Sequence, residues 1–200
     1  TYGRLQEADA IFHLAGVNRS DKDDDFWRGN YALTVQIVDY LKHSKRHHEG
    51  ATPFLYLASS AKTQRWNNEM DAYSLSKLAA ENYVQLNSAG TYCAQIGVLP
   101  HVFGPGARPF YNSVIATWCH QLANGLPARV TDGEETLSYE LIHVDHVVSN
   151  AIEAMDSALN ATAEFMKQQQ KSDGARWYVP YATEVCGYVY LSTLYSFLKQ

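Results

Sequence analysis

Two stretches of this chain, Y-S-L-S-K at 73–77 and Y-S-F-L-K at 195–199, fit one template, Tyr-x-x-x-Lys. On a helix, residues i and i+4 lie on the same face, so the lysine ammonium comes near the tyrosine hydroxyl. A phenol in water has a pKa of about 10. A cation close by favours phenolate and brings the group toward the range where it exchanges a proton with an alcohol or a ketone. Such a pair needs a third group, a hydroxyl from elsewhere that holds the carbonyl oxygen. In a chain with 14 Tyr the spacing alone decides nothing, so the elements around each pair must.

At the second pair, Leu191, Leu194, Tyr195 and Leu198 fall at i, i+3, i+4 and i+7. That stripe turns Tyr195 toward a core, and Lys199 is the penultimate residue of the sequence, where helices fray. At the first pair the apolar stripe reads Leu75, Leu78, Ala79 and Tyr83, which leaves Tyr73 and Lys77 off the core face. A strand ending in Ser59-Ser60 precedes it, so a hydroxyl can be delivered from the strand's tip. Y-S-L-S-K is the expected working pair.

Strand-like and helix-like segments alternate along the chain. A-I-F-H-L-A-G (10–16) reads as a buried strand running into a turn, and 25–42 as a helix with Tyr31, Val35, Val38 and Leu41 on one face. F-L-Y-L-A-S-S (54–60) is the next strand, 71–87 a helix, 92–100 a strand stopped by proline, and 111–125 a helix with Gly125 at its end. A strand over 137–144, a helix from about Asp145, a polar loop near Q-Q-Q-K-S-D-G, a strand at W-Y-V-P and a helix over 189–199 complete the pass. This order implies an α/β fold with a parallel sheet covered on both faces, and ligands at the carboxyl ends of its strands. Three polar clusters fall at such ends: His13–Asn18, Ser59–Lys62 and His101–Arg108.

At 200 residues, with 46% hydrophobic and 18% charged content, the sequence predicts one folded globule. The net charge of -5 gives no basic stripe for nucleic acid; K-H-S-K-R-H-H (42–48) reads as a solvated helix end. No apolar run reaches the ~18 residues of a membrane span, and the opening T-Y-G-R-L-Q-E-A-D lacks an apolar signal region. Cys93, Cys119 and Cys186 form no C-x-x-C pair and read as reduced thiols of a cytoplasmic protein. His143, Asp145 and His146 could ligate a metal, but their spacing crosses a strand–helix junction and no fourth ligand stands out. No metal is expected, and Asp145 is read as a helix cap.

H-L-A-G (13–16), Asn30 opening a helix, S-S (59–60), Y-S-L-S-K, L-P-H-V-F-G (99–104) and L-I-H-V-D-H-V-V (141–148) come in an order that runs through about three-quarters of the chain. In these motifs the chain resembles an extended short-chain dehydrogenase/reductase of the NAD-dependent epimerase/dehydratase family, the branch acting on nucleotide sugars. H-L-A-G-V-N-R and the long run from V-F-G-P-G-A-R-P-F-Y-N-S to C-H-Q-L-A-N-G-L-P are similar to the capsule and O-antigen reductases that make UDP-N-acetyl-L-fucosamine precursors. Those enzymes join a reductase domain, which uses NADPH on a UDP-2-acetamido-2,6-dideoxy 4-keto-hexose, to a carboxyl-terminal cupin that epimerises the sugar.

The resemblance implies a Rossmann-like doubly wound sheet and roles for individual residues. Tyr73 would protonate the sugar alkoxide, Lys77 would lower its pKa and bond the nicotinamide ribose, and Ser60 would hold the carbonyl oxygen. Leu14, Ala15 and Gly16 would meet the adenosine half of NADP(H), with NAD(H) the other option, and Pro100 would lie beside the nicotinamide. Asn18, His101, Arg108, Tyr111 and Asn112 are the implied contacts to a UDP-linked amino sugar; a guanidinium fork suits a diphosphate. The helices over 25–42 and 71–87 are the implied pairing surface of a homodimer.

The chain also departs from that pattern. The family opens with a strand and a G-x-x-G-x-x-G turn against the pyrophosphate. The sequence given starts at what resembles the helix before the fourth strand, so the first strands, the phosphate loop and the cupin are expected to be absent from it. Substrate-binding elements are expected mainly in 101–200. G-P-G-A-R-P (104–109) is rejected as a substitute loop, because it ends in proline mid-chain. Val98 and His101 stand where the family has a basic residue and an amide, and Ser60 lies only 13 positions before Tyr73. The expected activity is NADPH-dependent reduction of a UDP-4-keto-6-deoxy-N-acetylamino sugar. The alternatives are a nucleotide-sugar epimerase or dehydratase, or a catalytically incompetent fragment that serves as a binding or assembly module.

Overall fold

The computed structural model describes residues 5, 7–43, 52–64, 70–88, 91–128, 138–168, 187–190 and 198. The chain divides into two compact units, Thr1–Val98 with Asn150–Ala182, and Leu99–Ser149 with Thr183–Gln200.

In the first unit three strands, β1 (Ala10–His13), β2 (Phe54–Ser60) and β3 (Cys93–Leu99), form a sheet in that order. β1 runs parallel to β2, with Ala10 opposite Phe54 and His13 opposite Leu57, so both strands end at the same edge of the sheet. Between β1 and β2 the chain makes a short α turn, α1 (Asp23–Phe26), then a π-helical stretch (Trp27–Ala32), then α2 (Leu33–Lys42). After β2 come a 3-10 turn (Ala61–Gln64) and α3 (Ala72–Asn87).

Side chains alternate across a strand, and β2 uses both faces. Leu55 and Leu57 pack with Ile11, Ala94 and Ile96 against Val38 and Leu41 of α2 and Ala80 and Val84 of α3. Phe54 and Tyr56 pack with Cys93 against Ala151 and Ala158 of a long helix, α5 (Val144–Gln168). A sheet covered on both faces is what near-continuous apolar strands require. Each fully buried Leu or Val contributes about 1.5–3 kcal/mol. β1 departs from the expected buried strand: Ile11 and His13 face inward, while Phe12 is 38% exposed and lies edge-on to Phe54.

In the second unit β4 (His101–Phe103) runs parallel to β5 (Ser138–His143), and β5 pairs antiparallel with β6 (Gly187–Tyr190). This second sheet is therefore mixed rather than all parallel. The helix α4 (Val114–Ala123) buries Trp118 against Ala128, with Leu198 packed on that cluster. The expected helix over 189–199 is corrected at its start, because residues 189 and 190 belong to β6, held by the β5 ladder. The expected strand at W-Y-V-P and the Tyr195–Lys199 pair lie outside the described residues.

Two other expectations are corrected. The helix expected over 111–125 starts at Val114, because Phe110 and Asn112 adopt left-handed φ values of 59 and 55 and Ser113 caps it, accepting from the Ala116 amide at 3.2 Å. Asp145 lies in the first turn of α5 and is not its cap; His143 Nδ1 accepts the Asp145 amide hydrogen at 3.2 Å. Among the described residues no group of three or more His, Cys, Asp or Glu side chains could hold a metal ion. No helix among them is long and apolar enough to cross a membrane.

Candidate active site

The carboxyl ends of β1 and β2 carry two of the polar clusters expected from the sequence, and α3 brings its first turns to the same edge. Asp71 starts α3 by accepting the Ser74 amide at 2.7 Å. That cap fixes where the helix begins, and so where Tyr73 and Lys77 sit.

Tyr73 is half-buried and its hydroxyl faces that of Ser60, the last residue of β2. Phe26 meets its ring edge-on at 5.9 Å between centroids, and Lys62 Nζ lies 5.6 Å from its centroid. Burial pushes the phenol above its ordinary pKa; the Ser60 hydroxyl opposes that and the Asp71 carboxylate adds to it. Lys77 was expected to lower this pKa, but the phenol is raised. The ammonium of Lys77 donates to the Ala58 carbonyl at 2.9 Å, and burial lowers the amine's own pKa against the pull of Glu81.

The face of α3 is also corrected. Its buried residues are Ser74, Ser76, Lys77, Ala80, Glu81 and Val84, whereas Leu75 is 41% exposed and Leu78, Ala79 and Tyr83 are half-buried. Lys77 belongs to the core side, at 8% exposure. The physical reason is that each polar group on this face has a partner that compensates its loss of water. Ser76 donates to the Tyr73 carbonyl at 2.8 Å, Glu81 accepts from Ser59, and Lys77 has Ala58.

The loop after β1 is tied to this helix by Asn30. Its Oδ1 accepts from the Val17 amide at 2.8 Å, and its Nδ2 donates to the Val17 carbonyl at 2.9 Å and to Ser76 Oγ at 3.0 Å. The π-helical stretch carries Asn30, which is 2% exposed. Gly16, just before Val17, fits only without a side chain: a Cβ would stand 2.7 Å from Asn30 Oδ1 and 3.2 Å from Lys77 Nζ. Leu14, Ala15, Gly16 and Asn18 are exposed. Their small or open backbone at a strand's end suits the close approach of a nucleotide. His13, before them, is buried; its Nε2 lies 3.0 Å from Thr34 Oγ1, whose proton goes to the Asn30 carbonyl at 2.6 Å. Burial and the Lys77 charge lower its pKa to about 4.

The remaining expected residues belong to the second unit. Pro100 and His101 are half-buried, and burial holds His101 below its usual pKa. Arg108 lies with its guanidinium carbon 5.7 Å from the Tyr111 centroid, and both side chains are exposed. Asn112 Nδ2 is buried with no hydrogen-bond partner among the described residues. Glu81, Thr34 and the clamp made by Asn30 are features of the candidate site that the sequence did not single out, and Ser59 was read only as part of the Ser59–Lys62 cluster. The signal for Glu81 was its i+4 spacing from Lys77.

A sequence model of the NAD dependent epimerase/dehydratase family matches residues 3–165. The chain belongs to this family. Over 167 residues this epimerase/dehydratase-family chain is 34% identical to the UDP-2-acetamido-2,6-beta-L-arabino-hexul-4-ose reductase of Pseudomonas aeruginosa, an alignment that covers 83% of the chain and 42% of the reductase. Its fold is similar to the capsular polysaccharide assembling protein CapF of Staphylococcus aureus, with a TM-score of 0.67 at 24% identity over 99% of the chain and 46% of CapF. It is similar also to RMD of Pseudomonas aeruginosa, whose structure is a complex with NADPH, with a TM-score of 0.59 at 22% identity over 74% of the chain and 55% of RMD. The chain thus spans about half the length of these relatives or less.

Proposed function

We propose that this chain carries the acid–base site of an NADPH-dependent reductase acting on a UDP-4-keto-6-deoxy-N-acetylamino sugar, in the making of capsule or O-antigen precursors. The observation that carries the reading is the Ser60 hydroxyl at the end of β2 facing that of Tyr73, with Lys77 buried one helical turn on, beside Gly16. The 34% identity to a hexulose 4-reductase supports the substrate class.

Bound NADPH supplies the hydride that reduces the C4 ketone. Ser60 donates a hydrogen bond to the carbonyl oxygen as negative charge builds there. Tyr73, kept protonated by its burial, gives its proton to that oxygen. Lys77 holds the ribose of the nicotinamide half and stands ready to stabilise the phenolate left behind. Leu14, Ala15 and Gly16 would meet the adenosine half of the cofactor, and Pro100 is the residue that the family resemblance assigns to the nicotinamide. In the second unit, read as the substrate part within 101–200, Arg108 takes the diphosphate. Asn18, His101, Tyr111 and the unpartnered amide of Asn112 take the rest of the UDP-sugar.

The free thiols of Cys93 and Cys119 support a cytoplasmic setting. Exposed Leu75 and Leu86 on α3 support a homodimer through that helix.

The test supplies NADPH and the keto sugar to the chain, alone and joined at its amino end to a glycine-rich strand–turn–helix segment, and follows NADPH fluorescence. The joined form should consume one NADPH per sugar reduced, and Tyr73→Phe should lower the rate by about 10²–10⁴-fold. Unchanged turnover in Tyr73→Phe rejects the assignment. Sugar conversion without net NADPH consumption would make the chain an epimerase or dehydratase part instead.

A further inference from the structure

Glu81 stands one helical turn beyond Lys77 on α3, is 9% exposed, and has no part in the proton transfer described above. A buried carboxylate is costly unless its charge is met and its oxygens are hydrogen-bonded. Both conditions are satisfied by residues next to the site. The Ser59 hydroxyl donates to Glu81 Oε1. Thr63, beside the same carboxylate, gives its one hydroxyl proton to the Ser60 carbonyl at 2.8 Å. The charge that Glu81 faces is that of Lys77.

One carboxylate therefore accepts from the residue before Ser60, lies beside the residue that grips Ser60's own carbonyl, and acts by its charge on Lys77. The hydrogen-bond acceptor of that amine is the Ala58 carbonyl, a neutral group. We propose that Glu81 is a positioning residue: its carboxylate holds the Lys77 ammonium in its buried place and, through Ser59, fixes the strand end that presents Ser60.

The charged groups on the elements packed against α3 leave this role to Glu81. His13 of β1 is buried and neutral, and Tyr56 of β2 faces the opposite side of the sheet. Lys62, after β2, is exposed and pairs with Asp71 at 3.8 Å. Asp23 and Asp24 of α1 and Arg28 of the π-helical stretch are exposed, and Asp25 is tied to Ser20 at 2.6 Å. Asp39 of α2 pairs with Lys42 at 3.5 Å and accepts from Tyr83. Among the described residues, Glu81 is the buried anion that acts on Lys77.

A purely mechanical tie between α3 and β2 would survive Glu81→Gln, because the amide oxygen still accepts from Ser59. The charge would not survive. The experiment uses the full chain with carbon-13-labelled lysine and follows the Lys77 ε-methylene signal against pH, assigned by its loss in Lys77→Arg. With Glu81→Gln the titration of Lys77 should move to lower pH, and Glu81→Asp, which keeps the charge, should restore most of the shift. An unchanged Lys77 titration in a folded Glu81→Gln variant overturns the proposal.

Should that variant be too unstable to titrate, urea midpoints in a Lys77→Met background give a second answer. Glu81→Gln should lower the midpoint less there than beside the charged lysine, and equal losses in both backgrounds overturn the proposal. The use made of Lys77 rests on the reductase reading. The titration needs neither cofactor nor substrate, so a failed turnover assay and a failed positioning role remain distinguishable.

Discussion

Gly16, Asn30 and Lys77 meet in a space with no room for another atom, and this decides what the loop after β1 tolerates. A methyl group on Gly16 would press on Asn30 Oδ1 at 2.7 Å and on Lys77 Nζ at 3.2 Å. A flexible neighbour would swing aside. Asn30 is held by both polar groups of Val17 and by Ser76, and Lys77 by the Ala58 carbonyl, so neither moves freely. Gly16→Ala should therefore destabilise the chain by about 1–3 kcal/mol, as overpacking does, measured as a lower urea midpoint. Unchanged stability would mean that the loop relaxes and does not fix the amine's position. At this scale the candidate groups, Ser60, Tyr73 and Lys77, could be named from the sequence, because only certain residue types can move a proton. Their electrostatics were not. Whether Lys77 raises or lowers its neighbour's pKa depends on where its ammonium points, and spacing does not carry that.

Among the elements, the helical run from Asp23 to Lys42 is where regular geometry gives way. Its middle turn is π-helical, and that turn carries Asn30; such stretches frequently mark functional sites. Asn30 substitutes for a strand partner by pairing with the amide and carbonyl of Val17. Asn30→Ala should cost about 2–4 kcal/mol, since it leaves both backbone groups of Val17 and the Ser76 hydroxyl without this partner. Urea denaturation measures that loss, and a cost below about 0.5 kcal/mol, the ordinary surface value, would show that water replaces the amide. Among the strands β2 was read well because it is apolar on both faces, and its 54–60 span came directly from composition. The face of α3 was misread for a definite reason. Hydropathy assigns Leu75, Leu78, Ala79 and Tyr83 to the core, yet the helix buries Ser74, Ser76, Lys77 and Glu81 around a hydrogen-bonded network. Those partners come from β2 and from the loop tied by Asn30, and no local pattern reveals them. The left-handed backbone at Phe110 and Asn112, which delays α4, was hidden in the same way.

For the whole molecule, the burial of His13 makes folding depend on pH. Thr34 gives its one hydroxyl proton to the Asn30 carbonyl, so it must accept from His13 Nε2–H, and the ring is neutral with its proton on Nε2. Burial first, and the Lys77 charge second, lower the folded pKa from 6.5 to about 4. Between those values the unfolded chain binds more protons than the folded one, so stability rises with pH across that window. The contribution is complete above about 6.5, is lost as pH falls toward about 4, and amounts to about 3 kcal/mol. Glu81 acts in the opposite sense: burial raises its pKa, so on its own it makes folding less favourable as pH rises through the carboxylate range. A single pH profile would mix the two, and a difference between variants separates them. His13→Gln keeps an N–H within reach of Thr34 and does not titrate. Its stability, from urea unfolding at a series of pH values, should vary less than the parent's between about pH 4 and 6.5, the difference approaching 3 kcal/mol. Parallel profiles for the two proteins would show that His13 takes up its proton in the folded state, and that neither the Thr34 bond nor the nearby Lys77 charge holds it neutral.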